Sequence, residues 1–171
     1  RIAYCGSEAT DYLSRTHLTI YDTRDDTRNI IKTGVNSPLS WSPDGNRILY
    51  SRKKQGTHQS FLNDLFVYDL EQEDETRLTE GIRGVDPAWS PDGSRIVCIV
   101  QSDGTDNLVI LDDKGEPVRY LSHFKYGEGI YSPSWSPNGQ HIVFSQARRH
   151  GRDIQLIDLD SGDIQPLITD Q

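Results

Sequence analysis

Five residues recur three times along this chain: Trp41-Ser42-Pro43-Asp44-Gly45, Trp89-Ser90-Pro91-Asp92-Gly93 and, with one change, Trp135-Ser136-Pro137-Asn138-Gly139. Successive tryptophans stand 48 and 46 residues apart, a period at which repeats build propeller blades or helical arrays. Such a repeat constrains the fold more than composition does, because every copy must offer the same faces to its neighbours.

The residues after each motif decide between the two architectures. Beyond a short polar step come Arg47-Ile48-Leu49-Tyr50-Ser51, Arg95-Ile96-Val97-Cys98-Ile99 and His141-Ile142-Val143-Phe144-Ser145. These runs are rich in β-branched and aromatic residues and are entered through a Pro-Asp-Gly or Pro-Asn-Gly turn, so they predict strands. A further apolar run then ends on aspartate each time, at Asp69, Asp112 and Asp158. A polar turn and a fourth, more polar run close the unit. No window carries a 3.6-residue apolar period, which argues against a helical solenoid. The apolar fraction of 34%, with 14 glycines, suits short strands and many turns.

The first 35 residues align with the last three strands of a unit: Arg1-Ile2-Ala3-Tyr4-Cys5, Leu18-Thr19-Ile20-Tyr21-Asp22 and Thr27-Arg28-Asn29-Ile30-Ile31. The expected architecture is therefore an all-β, partial β-propeller of four-stranded antiparallel blades. About three and three-quarter blades are present, as a partial blade at 1–35 and blades at 36–81, 82–127 and 128–171. An inner strand edge at Arg1 and apolar faces on both end blades are expected. Further blades of a longer chain, a second copy, or a borrowed strand would cover them.

The run Ser132-Pro133-Ser134-Trp135-Ser136-Pro137-Asn138-Gly139, continued through Ile142-Val143-Phe144 to Asp158, resembles the WD40-like repeat of the TolB family. Asp86-Pro87-Ala88-Trp89 and Ser37-Pro38-Leu39-Ser40-Trp41 lead into the motif in the same way, the latter with Ser40 as an extra residue. The resemblance implies the propeller part of a periplasmic or extracellular protein that binds other proteins of the cell envelope. Similar repeats form the propellers of oligogalacturonate lyases and prolyl-oligopeptidase-type peptidases. The alternative it implies is thus the propeller portion of a larger enzyme whose catalytic parts lie outside this chain.

A residue demanded by every blade is most simply demanded by blade packing. Trp41, Trp89 and Trp135 are therefore read as packing residues. Pro43, Pro91 and Pro137, with Asp44, Asp92, Asn138 and Gly45, Gly93, Gly139, are read as turn residues. The same argument assigns Asp22, Asp69, Asp112 and Asp158 local turn bonds rather than a carboxylate ring.

Function on a repeat scaffold lives where the blades differ. In a four-stranded meander the loops after the second strands share one face, and two of them are basic. One holds Arg52, Lys53, Lys54 and His58; the other holds Arg148, Arg149, His150 and Arg152. These eight residues are the candidate contacts for an acidic protein partner. Acidic loops, including residues 71–75, gather on the opposite face.

The formal charge of −8 argues against sequence-independent nucleic-acid binding. No run reaches the roughly 20 apolar residues of a membrane-spanning helix. Cys5 and Cys98 fall in apolar runs and are read as buried thiols. There is no Gly-x-Ser-x-Gly elbow, no Cys-x-x-Cys and no His-x-x-x-His pair among His17, His58, His123, His141 and His150. Ser102-Asp103-Gly104-Thr105-Asp106 is read as a turn. No catalytic residue, cofactor or metal is expected.

Overall fold

The computed structural model describes residues 1–9, 14–55, 61–125, 129–148 and 151–169. They form fifteen strands. The first sheet holds β1 (Ile2–Ala9), β2 (Ser14–Asp22) and β3 (Thr27–Thr33). The second holds β4 (Val35–Trp41), β5 (Arg47–Gln55), β6 (Phe61–Asp69) and β7 (Asp74–Arg77). The third holds β8 (Gly84–Trp89), β9 (Arg95–Ser102), β10 (Thr105–Asp112) and β11 (Pro117–Tyr120). The fourth holds β12 (Ile130–Trp135), β13 (His141–Arg148), β14 (Gly151–Asp158) and β15 (Ile164–Ile168). All pairings are antiparallel between consecutive strands, and the whole is an open, partial β-propeller.

Two-residue alternation explains why these sheets stack. In β9, Val97 and Ile99 point into the core shared with the fourth sheet, while Ile96 and Cys98 point into the core shared with the second. β10 divides likewise, Leu108 and Ile110 against Val109 and Leu111. In the second sheet Ile48, Tyr50, Phe66 and Tyr68 face Leu18 and Ile20 of the first, while Leu49 and Leu65 face Trp89 of the third. Each core thus belongs to two sheets. Full burial of one such side chain is worth about 1.5–3 kcal/mol, so the sheets hold one another. On the outward sides, Ile2, Tyr4 and Ile30 of the first sheet and Ile168 of the fourth are exposed.

The repeated motif is a local turn built from short bonds. Ser42 Oγ accepts the Arg47 N–H at 2.9 Å and donates to Asp44 Oδ1 at 2.5 Å, and that carboxylate accepts the Asn46 N–H at 3.0 Å. Gly45, at φ 70°, donates to the Ser42 carbonyl. Ser90 with Asp92, and Ser136 with Asn138, repeat this arrangement. The hydroxyls of Ser90 and Ser94 hold the Asp92 carboxyl down at about 2.

The tryptophans stitch each sheet to the one before it. Trp135 Nε1 donates to the Ala88 carbonyl at 3.1 Å. The Trp89 N–H donates to Ser40 Oγ at 2.9 Å, and the Arg47 guanidinium stands 4.9 Å from the Trp89 ring centroid. Trp89 is buried; Trp41 and Trp135 are half-buried against the flanking cores.

A second repeated device closes the second and third sheets where the chain leaves the outer strand. Asp64, fully buried, accepts the Gly81 N–H at 2.7 Å and pairs with Arg77 at 2.6 Å. Asn107, at the equivalent place in β10, accepts the Phe124 N–H at 2.7 Å. Thr79 and Ser122 hydroxyls accept the Leu65 and Leu108 N–H groups in the same two places. At Gly115, φ 89°, the turn between β10 and β11 comes so close to the second sheet that a Cβ there would stand 2.3 Å from the Leu78 carbonyl oxygen.

The expected loop boundaries need correction. Arg52, Lys53 and Lys54 lie inside β5, paired with Asp64, Asn63 and Leu62 of β6. Arg148 ends β13 and Arg152 lies in β14, while much of 6–16 extends β1 and β2. These stretches are polar enough to read as loops, yet the backbone ladder continues through them.

Candidate interaction surface

The hairpins β5–β6, β9–β10 and β13–β14 sit at one end of the sheets, where the inner strands β4, β8 and β12 begin. The expected basic contacts belong to this end. His58, Arg149 and His150 lie outside the described residues, as does the side chain of Arg148.

Arg52 is committed inward. Its Nη2 donates to Glu75 Oε2 at 2.7 Å, its guanidinium stands 4.5 Å from the Phe66 centroid, and only about a quarter of its side chain is exposed. Glu75 also accepts the Tyr50 hydroxyl, whose pKa burial drives far above its ordinary value. Lys53 and Lys54 are exposed, with Lys54 Nζ 5.8 Å from the Phe66 centroid. Arg152 is exposed as well, and its guanidinium stands 4.5 Å from the Tyr131 centroid. The lysines therefore sit on the second sheet and Arg152 on the fourth, with the third between them.

At the opposite end the terminal aspartates bind their own turns. Asp69 accepts the Glu71 and Gln72 N–H groups, Asp112 those of Lys114 and Glu116, and Asp158 those of Asp160 and Ser161. Asp22 takes Arg24 at 2.7 Å and Arg1 at 3.1 Å, and the Arg24 bonds hold its carboxyl well below the usual range.

A cleft of about 260 Å³ opens at the hairpin end between the inner strands of the second, third and fourth sheets. Its polar lining is Asn36, Ser51, Asp86, Gln101 and Asp106; Val85, Ile99, Ile130 and the Tyr131 ring form the rest of the wall. A bulge between Val85 and Ala88 and a positive φ of 50° turn Asp86 out of the ordinary strand path. Its carboxylate accepts the N–H of Ser132, itself at φ 52°, at 3.0 Å. Burial pushes the Asp86 carboxyl up, opposed by that N–H and reinforced by the charge of Asp106. Gln101 Nε2 donates to Asp106 at 3.2 Å. The Ser51 hydroxyl, wholly buried, has no partner among the described residues.

Sequence reasoning misses this site. In the sequence Asp86 belongs to the Pro-led step before the tryptophan and Asp106 to a turn, while Ser51 closes an apolar run. Only a comparison of residue types that differ at matching positions, Asp86 against Ser132 and Ser51 against Ile99, points to it. Among the described residues no three histidine, cysteine, aspartate or glutamate side chains gather as metal ligands.

The family model of the TolB beta propeller domain matches residues 12–171. No curated protein sequence matches the chain. The putative TolB of Agrobacterium tumefaciens is 26% identical over 97% of this chain and 61% of its own, with a TM-score of 0.73. Oligogalacturonate lyase of Vibrio parahaemolyticus, 14% identical, is covered over 50% of its length by 92% of this chain, with a TM-score of 0.64. Acylaminoacyl peptidase of Pyrococcus horikoshii, 18% identical, is covered over 30% of its length by 98% of this chain, with a TM-score of 0.62. The chain therefore spans less than two thirds of each of these proteins, and for the two enzymes the likeness concerns the fold alone.

Proposed function

Because the chain belongs to the TolB beta propeller domain family, we propose that it is a non-enzymatic scaffold that binds another protein through the hairpin end of its sheets. The observation that carries this reading is the division of charge. Repeated aspartates are spent on turns, whereas Lys53, Lys54 and Arg152 stay exposed at one end. Exposed cations at one end of a chain of net charge −8 are local attractive points that steer an acidic partner. A periplasmic setting, implied by the resemblance to the TolB repeat, belongs to the same proposal. So does covering of the outward faces of the end sheets by further blades or a second copy.

The test is capture of partners from a cell-envelope extract by the immobilised chain and by the Lys53→Glu, Lys54→Glu, Arg152→Glu variant. Recovery should fall at high salt and with the variant. Recovery unchanged by both would sink the proposal.

A second reading, the propeller portion of a larger enzyme, takes its support from the likeness to the lyase and peptidase folds. Lyase or peptidase activity in the longest natural form containing these residues would favour it over a scaffold.

A further inference from the structure

The cleft between the inner strands has a composition that neither packing nor turn formation explains. Two carboxylates, Asp86 and Asp106, border it, and neither is in an ion pair among the described residues. Asp86 is held there by a bulge and a left-handed backbone, a local cost of order 1–3 kcal/mol, and is half-buried. Ser51 adds a hydroxyl that is 0% exposed and lacks a partner among the described residues, although most buried hydroxyls find one. An orphaned hydroxyl beside two carboxylates without a counter-ion is a set of acceptors awaiting a charged donor.

The remaining walls select among cations. A hard divalent ion seeks six to eight oxygens and gains nothing from Val85, Ile99 and Ile130. An alkylammonium or alkylguanidinium uses both parts, its stem against the aliphatic side chains and its head on the carboxylates. Tyr131 forms part of the same wall, and its ring already accepts the guanidinium of Arg152 at 4.5 Å.

We propose that this cleft is a binding subsite for a protonated alkylamine or guanidinium, the group carried by a lysine or arginine side chain or by a free amine. The inference is distinct from the capture of an acidic partner, since its ligand has the opposite charge and its carboxylates, Asp86 and Asp106, play no part there; the Tyr131 ring under Arg152 is where the two surfaces meet. The bulge and the Ser132 N–H fix Asp86 for the cation, and the Ser51 hydroxyl accepts one of its N–H groups.

The experiment titrates the whole chain, followed by amide chemical shifts, with n-butylammonium, n-butylguanidinium and neutral n-butanol. A blocked Ala-Ala-Lys-Ala-Ala peptide and its norleucine counterpart form the second arm. Both cations should bind saturably with a dissociation constant of about 1–10 mM, as expected of so small a ligand, and shift amides of β5, β8 and β10; butanol should not. Asp86→Asn, which keeps the acceptor for Ser132, and Asp106→Asn should each weaken binding about tenfold, the scale of a lost charge-assisted bond. Tighter binding of the lysine peptide than of butylammonium assigns the subsite to a side chain, and equal binding assigns it to a free amine. Absence of saturation, equal response to butanol, unchanged affinity in both variants, or displacement of the amine by equimolar calcium would each overturn the proposal.

Discussion

Arg77 reaches 2.6 Å from a carboxylate of Asp64 that has no exposure to solvent, whereas the matching position in the next sheet is the neutral Asn107. The two side chains do the same backbone work, accepting the Gly81 and Phe124 N–H groups. Only Asp64 adds a charge that must be balanced. Leaving the buried charge of such a pair unbalanced costs about 3–5 kcal/mol, so Arg77→Ala, which strands the Asp64 carboxylate, should lower unfolding stability by about that amount. Asp64→Asn, which keeps the acceptor, should cost less than the alanine variant in the same urea titration.

Asp86→Asn should raise stability at neutral pH while weakening cation binding. The folded carboxyl titrates above its unfolded value because burial disfavours its charge. In the window between those two values the folded state binds more protons, so stability declines as pH rises through it. Above the window the ionised carboxylate is a standing cost, which the amide avoids. Asparagine also tolerates the left-handed backbone at this position. Thermal unfolding of parent and variant across that window should show the parent's decline and the variant's flatter profile.

Gly115→Ala should destabilise much more than Gly45→Ala. Both glycines have positive φ, but a Cβ at Gly45 meets nothing within 4 Å whereas one at Gly115 meets the Leu78 carbonyl. The change at Gly45 carries only the backbone cost of about 1 kcal/mol. The change at Gly115 must also push two sheets apart. Paired denaturant titrations separate them.

Cys98 should resist thiol reagents in the folded protein at pH 8 and react fully in denaturant. Its thiol is wholly buried, and burial pushes it up to about 12; the reactive species is the thiolate. Counting modified cysteines by mass before and after unfolding checks this, with Cys5, which is partly exposed, as internal comparison.

Reading the chain succeeds where the decisive bonds are short in sequence. The serine and aspartate of each motif close a turn within five residues, so the motif itself carries its explanation. The alternation in β9 and β10 likewise assigns both core faces. The hairpin lengths mislead, because Arg52 is anchored by Glu75, 23 residues away, and its polarity resembles that of a loop. Asp64 and Asn107 share a role under different residue types, which hides it from motif comparison. Asp86 takes its meaning from Ser132, 46 residues on, and from a hydroxyl on another sheet. Such sites are products of stacking.

Among the described residues every apolar core lies at a seam between two sheets rather than inside one. Cohesion therefore passes hand to hand along the row, and a sheet with neighbours on both sides is gripped twice. Amide protons of β5, β6, β9 and β10 should be the last to exchange with heavy water. The second and third sheets are thus the keystones, and the cleft opens along their inner strands, where the row has least freedom to give.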